Sequence, residues 1–211
     1  MPEPIDQDYA KAGFNGALPF GRKAALLIID VVMAYIDPES PLYLGPENAL
    51  PQMDRLADAA RKVGAPVIFT NIAYGPQGAE GGLFYRKVPA LKAFHAGSPL
   101  GAFPDELWPQ AGDHVIGKFY PSAFFGTALA PMLHTLGVDT VLLTGYSTSG
   151  CIRASALDAL CHGFAPFVVS DGCADRDPAP HQANLFDMRA KMAEVVDTDA
   201  AIALLSDHAQ Q

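Results

Sequence analysis

The chain has 211 residues, of which 50% are hydrophobic and 18% charged, and this composition excludes a disordered chain and suits one domain with a sizeable core. Its formal net charge of −9, from 14 basic and 23 acidic residues without a basic run, makes nucleic acid an unsuitable partner. The three cysteines include no Cys-x-x-Cys pair, which excludes a disulfide framework and a structural zinc site.

Residues 1–22 form a predicted N-terminal arm. A short helix is predicted at 8–13, and the glycines and the proline that follow would break any longer one. The arm is expected either to be disordered or to lie against a neighbouring subunit. We favour the second, which implies a homo-oligomer, because Phe14 and Phe20 are poor residues to leave in water.

The chain shows no secretory signal and no membrane-spanning segment. Its polar start lacks an apolar stretch behind basic residues, and no uninterrupted apolar run approaches the length that crosses a bilayer. We therefore expect a cytoplasmic protein with no membrane partner.

Strands and helices alternate along the rest of the chain. Apolar, β-branched runs predict six strands, at 24–30, 66–72, 113–118, 138–144, 165–170 and 194–196. Apolar residues at helical spacing predict helices at 47–63, 127–136, 151–162, 181–191 and 198–205. This alternation predicts an α/β fold, a three-layer α/β/α domain over 23–211 with a mostly parallel six-stranded sheet. The connection 73–109 is long, but its many apolar residues predict that it is ordered and packed.

Three ionisable residues stand at comparable places in this pattern. Asp30 follows the first strand, Lys118 closes the third, and Cys151 lies between the fourth strand and its helix. The carboxyl ends of parallel strands meet at one edge of a sheet, so these side chains are expected to meet there. A helix N-terminus lowers the pKa of a thiol, and a thiolate is a nucleophile. Asp30 can take the thiol proton, and Lys118 can hold the thiolate.

Each of these residues also has an ordinary interpretation. Asp30 alone could cap a turn, and Lys118 alone could be a solvated strand end. Cys161 and Cys173 have no turn-to-helix setting, so they are expected to be structural. It is the combination with Cys151 that favours chemistry.

Motifs over nearly the whole chain carry a family resemblance. They include Leu-Leu-Ile-Ile-Asp at 26–30, Gly-Lys at 117–118, Thr-Gly-Tyr-Ser-Thr-Ser-Gly-Cys-Ile-Arg-Ala at 144–154, and Asp-Arg-Asp-Pro-Ala-Pro-His at 175–181. With them the chain resembles the isochorismatase-like cysteine hydrolases, and within these the amidohydrolases of N-carbamoylsarcosine and of maleamate.

The resemblance implies an Asp30–Lys118–Cys151 triad. The thiolate attacks a carboxamide or ureido carbon, ammonia leaves, and water hydrolyses the thioester. The resemblance also implies a cis peptide bond between Tyr146 and Ser147, which would aim the Ser147 N–H, with that of Cys151, at an oxyanion. Arg176 would bind the substrate carboxylate, assisted by the Ser147 hydroxyl.

The expected activity is hydrolysis of a linear amide without a metal or any other cofactor. The Asp-x-His metal site of nicotinamidase-like relatives is replaced here by Val-Val-Met-Ala-Tyr at 31–35. The expected substrate is N-carbamoylsarcosine or another N-carbamoyl amino acid. One alternative is maleamate, and another is a catalytically silent protein that binds a small ligand.

Three smaller questions stay open from the sequence. Arg176 could instead pair with Asp175 or Asp177. His181 and Asn184 could cap a helix or line the pocket. The Phe-Tyr-Arg-Lys segment at 84–87 could be a lid or a subunit contact.

Overall fold

The sheet has six strands, and all of them are parallel in the computed structural model, which describes residues 5–45 and 49–208. The strands are β1 Ala24–Ile29, β2 Val67–Asn71, β3 His114–Gly117, β4 Thr140–Tyr146, β5 Ala165–Ala174 and β6 Glu194–Val196. Their order across the sheet is β3-β2-β1-β4-β5-β6, so the chain turns back towards the other edge after β3. The predicted α/β fold with a six-stranded sheet is confirmed.

Helices cover both faces of the sheet. In the described part of the chain they are α1 Ile5–Lys11, α2 Met33–Ile36, α3 Leu50–Lys62, α4 Gly82–Lys87, α5 Leu129–Thr135, α6 Arg153–Cys161, α7 Pro178–Lys191 and α8 Thr198–His208. Strand β1 is buried on both faces, and its side chains alternate between two cores. Leu26 and Ile28 pack in the core with α3 and α8, while Leu27 and Ile29 pack in the core with α5, α6 and α7. This two-sided burial explains why the strand is one continuous apolar run.

Several predicted boundaries differ from the observed ones. Helix α3 begins at Leu50, and residues 47 and 48 of its predicted range lie outside the described residues. Strand β5 continues to Ala174, past its predicted end at Ser170. It does so because its last residues pair with β4 after a shift of register between Leu143 and Gly145. The polar Asp171 and the glycine after it hide this extension in the sequence.

The long connection between β2 and β3 is ordered, as predicted. It contains α4 and several 3₁₀ turns, and Leu91, Phe94 and Leu107 are buried in it. Leu83 and Trp108 remain exposed. The role of residues 84–87, which lie on α4, stays an open prediction.

The N-terminal arm packs on its own chain. The Asn15 N–H donates to the carbonyl of Ala190 over 3.0 Å, and the ring of Phe20 lies 5.1 Å from that of Phe167. The sequence-based alternatives, disorder or contact with a neighbour, did not include packing on the same chain. The aromatic residues favour this packing because it removes apolar surface from water. The homo-oligomer stays a prediction.

The carboxyl ends of β1 and β4 approach each other closely at Gly145. This glycine has φ +119°, and a Cβ built on it would lie 2.1 Å from the carbonyl oxygen of Ile29. A side chain therefore does not fit there. The close approach brings the residue after β1, Asp30, next to the turn that follows β4.

Candidate active site

The structure brings the three predicted catalytic side chains together at one edge of the sheet. Asp30 follows β1, Lys118 follows β3, and Cys151 lies in a π-helical turn, Thr148–Ile152, between β4 and α6. The Lys118 Nζ is 2.7 Å from the Asp30 Oδ2 and 3.4 Å from the Cys151 Sγ. The three residues are only 0%, 1% and 6% exposed, in the order Asp30, Lys118 and Cys151. A carboxylate, an ammonium and a thiol thus lie together in a buried site.

Four acceptors surround the Lys118 ammonium. Besides the carboxylate and the sulfur, it meets the carbonyls of Tyr120 at 2.9 Å and Pro121 at 3.0 Å. Burial alone would lower the pKa of Lys118, but the attraction of Asp30 and Cys151 outweighs it, and the pKa is raised. Lys118 is therefore a fixed positive charge beside the sulfur.

Asp30 is held by its neighbour in β2. Its backbone N–H donates to the Thr70 Oγ1 over 3.1 Å, and the Thr70 hydroxyl donates to the Asp30 Oδ1 over 2.7 Å. Asp30 has φ 53°, in the left-handed region. Only its other oxygen, Oδ2, faces Lys118.

Burial favours the neutral form of the Cys151 thiol. Burial raises the pKa of Cys151 to about 12, because it outweighs the lowering effect of Lys118 and because Asp30 adds to the rise. The sequence-based expectation of a thiol pKa lowered by the helix N-terminus was therefore wrong. A nucleophilic thiolate has to be generated by transfer of the proton, and Asp30 is placed to accept it.

This protonation state predicts a distinctive alkylation profile. We expect iodoacetamide to alkylate Cys151 more slowly than a small free thiol, at a rate that changes little across neutral pH, because transfer of the thiol proton to Asp30 forms the thiolate without loss of a proton to solvent. The rate at Cys151 is read by peptide mass spectrometry, with the small free thiol in the same tube as control. A rate at Cys151 above that of the free thiol at neutral pH would show a resting thiolate, and a roughly tenfold rise per pH unit would show that Asp30 does not accept the proton.

The turn that carries Cys151 folds around Ser147. The Ser147 carbonyl accepts hydrogen bonds from the N–H groups of Gly150 and Ile152, each over 3.1 Å. The peptide bond between Tyr146 and Ser147 is cis, as the resemblance implied. A Cβ at Gly150 would lie 2.7 Å from the Ser147 Oγ, so the serine hydroxyl packs directly over the residue before Cys151.

The segment between β5 and α7, and α7 itself, each make one hydrogen bond to the same turn. The Asp175 carboxylate accepts from the Ser149 N–H over 2.6 Å and from the Arg176 N–H over 2.9 Å. The His181 Nδ1 lies 2.8 Å from the Thr148 Oγ1. Asp175 therefore holds the backbone of Arg176 beside the turn Thr148–Ile152, which we call the nucleophile turn.

The Arg176 side chain contacts a backbone carbonyl. Its guanidinium donates to the carbonyl of Pro41, and no ion pair among the described residues includes it. The alternative of a pair with Asp175 or Asp177 is therefore wrong for the side chain. Asp177 instead caps α7, since its carboxylate accepts from the Ala179 N–H.

The open question about His181 and Asn184 also has a structural answer. Neither caps α7, because Asp177 does so, and the Asn184 amide donates to the carbonyl of Pro180. His181 contacts the nucleophile turn instead. Burial lowers the pKa of His181 against the opposing pull of Asp175, which favours a neutral ring at neutral pH.

Tyr35 belongs to the surroundings of the site. It lies on α2, the short helix that begins at Met33 soon after Asp30. Its ring is 5.9 Å from that of Tyr146. Burial, followed by the charges of Cys151 and Asp30, raises the pKa of Tyr35 well above its usual value. Its hydroxyl is therefore an uncharged polar group within electrostatic range of both residues.

Residues 5–45 and 49–208 contain no group of three or more His, Cys, Asp or Glu side chains placed to hold a metal ion. The same part of the chain has no helix long and apolar enough to cross a membrane.

Comparisons with known proteins identify related sequences and a similar fold. The family model of the isochorismatase domain matches residues 24–200. The maleamate amidohydrolase of Pseudomonas putida is 47% identical over 203 residues, 93% of this chain and 95% of that protein. The N-carbamoylsarcosine amidase of an Arthrobacter species is 33% identical over 203 residues, 93% of this chain and 76% of that one. The crystal structure of an isochorismatase family protein from Desulfovibrio vulgaris has a TM-score of 0.81 and 30% identity, covering 88% of this chain and 100% of its own.

Proposed function

The chain belongs to the isochorismatase family and is a hydrolase of carbon–nitrogen bonds in linear amides, and from that premise we propose that Cys151 is its nucleophile. In this proposal the substrate is a small amide or ureido compound with a carboxylate group. Ammonia leaves as a thioester forms on Cys151, and water then hydrolyses the thioester. No metal or organic cofactor takes part.

One observation carries the proposal. The Lys118 ammonium lies close to both the Asp30 carboxylate and the Cys151 sulfur inside a buried site. Burying an ion pair is costly, and its charge–charge interactions are strong because little water screens them. A cation shared by the two groups stabilises the negative charge both on the carboxylate before proton transfer and on the sulfur after it.

The first half of the reaction forms the thioester. Asp30 takes the Cys151 thiol proton, and Lys118 stabilises the thiolate as it attacks the carbonyl carbon of the substrate. The carbonyl π bond becomes an oxyanion, which then reforms the double bond as the C–N bond breaks. Asp30 returns its proton to the leaving nitrogen, so that ammonia departs and the acyl group stays on the sulfur.

The second half restores the thiol. Asp30 takes a proton from water, the resulting hydroxide attacks the thioester carbon, and the C–S bond breaks. The sulfur regains the proton from Asp30, and the carboxylic acid leaves. An amide substrate thus yields an acid and ammonia, whereas a ureido substrate yields a carbamic acid, which also releases carbon dioxide.

Ser147 and Cys151 are the proposed oxyanion hole. Their backbone N–H groups flank the turn over which the substrate carbonyl would lie, and such donors stabilise charge that develops only as the sulfur attacks. The Ser147 hydroxyl, which packs over Gly150, is a further donor to the substrate.

Arg176 is the proposed ligand of the substrate carboxylate. Its backbone is fixed beside the nucleophile turn through Asp175, and its side chain donates to a neutral carbonyl, that of Pro41. A guanidinium can exchange such a neutral acceptor for a carboxylate with a gain in hydrogen-bond strength.

Maleamate is the first substrate to test, and N-carbamoyl amino acids come second. The identity of 47% to a maleamate amidohydrolase supports the first, and that of 33% to an N-carbamoylsarcosine amidase supports the second. This order reverses the expectation from the sequence motifs. The motifs could not separate the two substrate types, because both are expected to use the same three catalytic groups and the same arginine.

Ammonia release from maleamate, N-carbamoylsarcosine, other N-carbamoyl amino acids and nicotinamide, measured side by side, tests the proposal. We expect turnover of a compound that carries a carboxylate, with carbon dioxide appearing only from ureido substrates. If no compound releases ammonia, even at a protein concentration high enough to detect slow turnover, the result would favour the catalytically silent alternative.

Substitution of Arg176 tests the carboxylate site separately. We expect Arg176→Ala to raise KM about 10- to 100-fold, the loss expected for a hydrogen-bonded charge pair, with a smaller change in kcat. Arg176→Lys should recover part of the affinity. The matched control is an amide of similar size without the carboxylate. If its kinetics change as much as those of the charged substrate, Arg176 does not bind the carboxylate.

A further inference from the structure

Thr70 occupies a place in the site that the family resemblance and the proposed mechanism leave unassigned. Strand β2 lies between β3 and β1 in the sheet. Lys118 follows β3 and Asp30 follows β1, so the last residues of β2 lie between Lys118 and Asp30. Thr70 is opposite Ile29 in the register of the two strands and is 0% exposed. Its side chain therefore points into a closed space shared with the residue that follows β1.

The Thr70 hydroxyl makes two hydrogen bonds to Asp30, and their directions are fixed by chemistry. The backbone N–H of Asp30 can only donate, and a carboxylate can only accept. The hydroxyl oxygen thus accepts from that N–H over 3.1 Å, and its single proton goes to the Asp30 Oδ1 over 2.7 Å. One hydroxyl clamps both the backbone and the side chain of the same acid.

This clamp fixes the orientation of the carboxylate. With one oxygen, Oδ1, engaged by Thr70, the other, Oδ2, is 2.7 Å from the Lys118 Nζ. Tilting the carboxylate out of this plane would break the Thr70 bond, the Lys118 contact or both. The backbone also needs support, because Asp30 has φ 53°, in the left-handed region that a residue with a side chain rarely adopts.

We propose that Thr70 is a positioning residue for the proton transfers of the reaction, acting through Asp30. By fixing Oδ1 it keeps Oδ2 in line with Lys118 and with the thiol proton of Cys151. This inference rests on the proposed role of Asp30 as the proton acceptor. The hydrogen bonds of the Thr70 hydroxyl go to Asp30.

Two substitutions at Thr70 separate this role from packing. Thr70→Val keeps the branched shape and volume but removes the hydroxyl, whereas Thr70→Ser keeps the hydroxyl and removes a methyl group. The matched control is Thr140→Val. Thr140 is also 0% exposed and also makes two hydrogen bonds through its hydroxyl, from the Gly21 N–H over 2.9 Å and to the Asp139 Oδ1 over 3.0 Å. It lies at the opposite end of the sheet, at the start of β4.

Three measurements are made on the full chain: kcat and KM for ammonia release, the rate at which iodoacetamide alkylates Cys151, and the thermal midpoint. We expect Thr70→Val to lower kcat roughly 100-fold, the usual loss when a catalytic group is misplaced by about 1 Å, with little change in KM. Alkylation of Cys151 should slow in the same variant, since attack on iodoacetamide uses the same proton acceptor. Thr70→Ser should restore most of kcat, and Thr140→Val should lower the thermal midpoint without lowering kcat.

The proposal is overturned if Thr70→Val loses no more kcat than Thr140→Val, or if Thr70→Ser is as slow as Thr70→Val. A wild-type chain that releases no ammonia would reject the proposed function instead. In that case the alkylation rates still decide about the clamp, because equal rates in the wild type and in Thr70→Val would contradict it.

Discussion

Replacement of Cys151 by alanine is expected to lower ammonia release about 10⁴-fold or more, with the fold unchanged. Removal of a nucleophile leaves only the contribution of substrate binding and of the oxyanion donors, which is small by comparison. The side chain is small and nearly buried, so alanine leaves a minor gap and no unpaired charge. The measurements are kcat/KM for ammonia release and the far-ultraviolet circular dichroism spectrum.

The chain offers a matched control for that substitution. Cys161 is an exposed free cysteine at the end of α6, so Cys161→Ala changes the same chemical group outside the site. We expect its kinetics to equal those of the wild type. Cys151→Ser adds a second control, because a hydroxyl of similar size cannot be deprotonated as readily by Asp30. Turnover in Cys151→Ala within a few-fold of the wild type would reject the thioester mechanism.

The sequence predicted the meeting of Asp30, Lys118 and Cys151 because topology alone fixes it. In a parallel sheet, the residues that follow the strands lie at one edge, and apolar runs mark where each strand ends. The predicted six-stranded α/β fold follows from the same alternation of patterns. The cytoplasmic location and the homo-oligomer rest on weaker sequence features and stay predictions.

What the sequence did not predict depends on burial and on contacts between distant segments. The pKa of Cys151 is raised because the thiol is buried, a property of three-dimensional packing that overrides the local effect of a helix end. Thr70 gave one weak signal, a polar residue at the end of a buried strand. The contact of Arg176 with Pro41 joins residues far apart in the chain, and no local pattern encodes it.

Lys118 should be indispensable for stability as well as for activity. We expect Lys118→Met to lower the free energy of unfolding by about 3–5 kcal/mol, because it leaves the Asp30 carboxylate buried without its counter-charge. The carbonyls of Tyr120 and Pro121 also lose their donor. Ammonia release should fall about 10³-fold or more, since no cation remains beside the thiolate. Urea denaturation and kinetics on the same samples measure both effects.

The double substitution Asp30→Asn with Lys118→Met distinguishes the electrostatic cause from a packing defect. Removing the second charge should return part of the lost stability, so that the double variant is more stable than Lys118→Met alone, with a coupling energy of roughly 2 kcal/mol. Activity should not return, because the proton acceptor and the cation are both gone. A double variant that is as unstable as the sum of the two single ones would mean that the pair is not coupled. The shared cation would then lose its place at the centre of the mechanism, since the argument for proton transfer from Cys151 to Asp30 depends on that coupling.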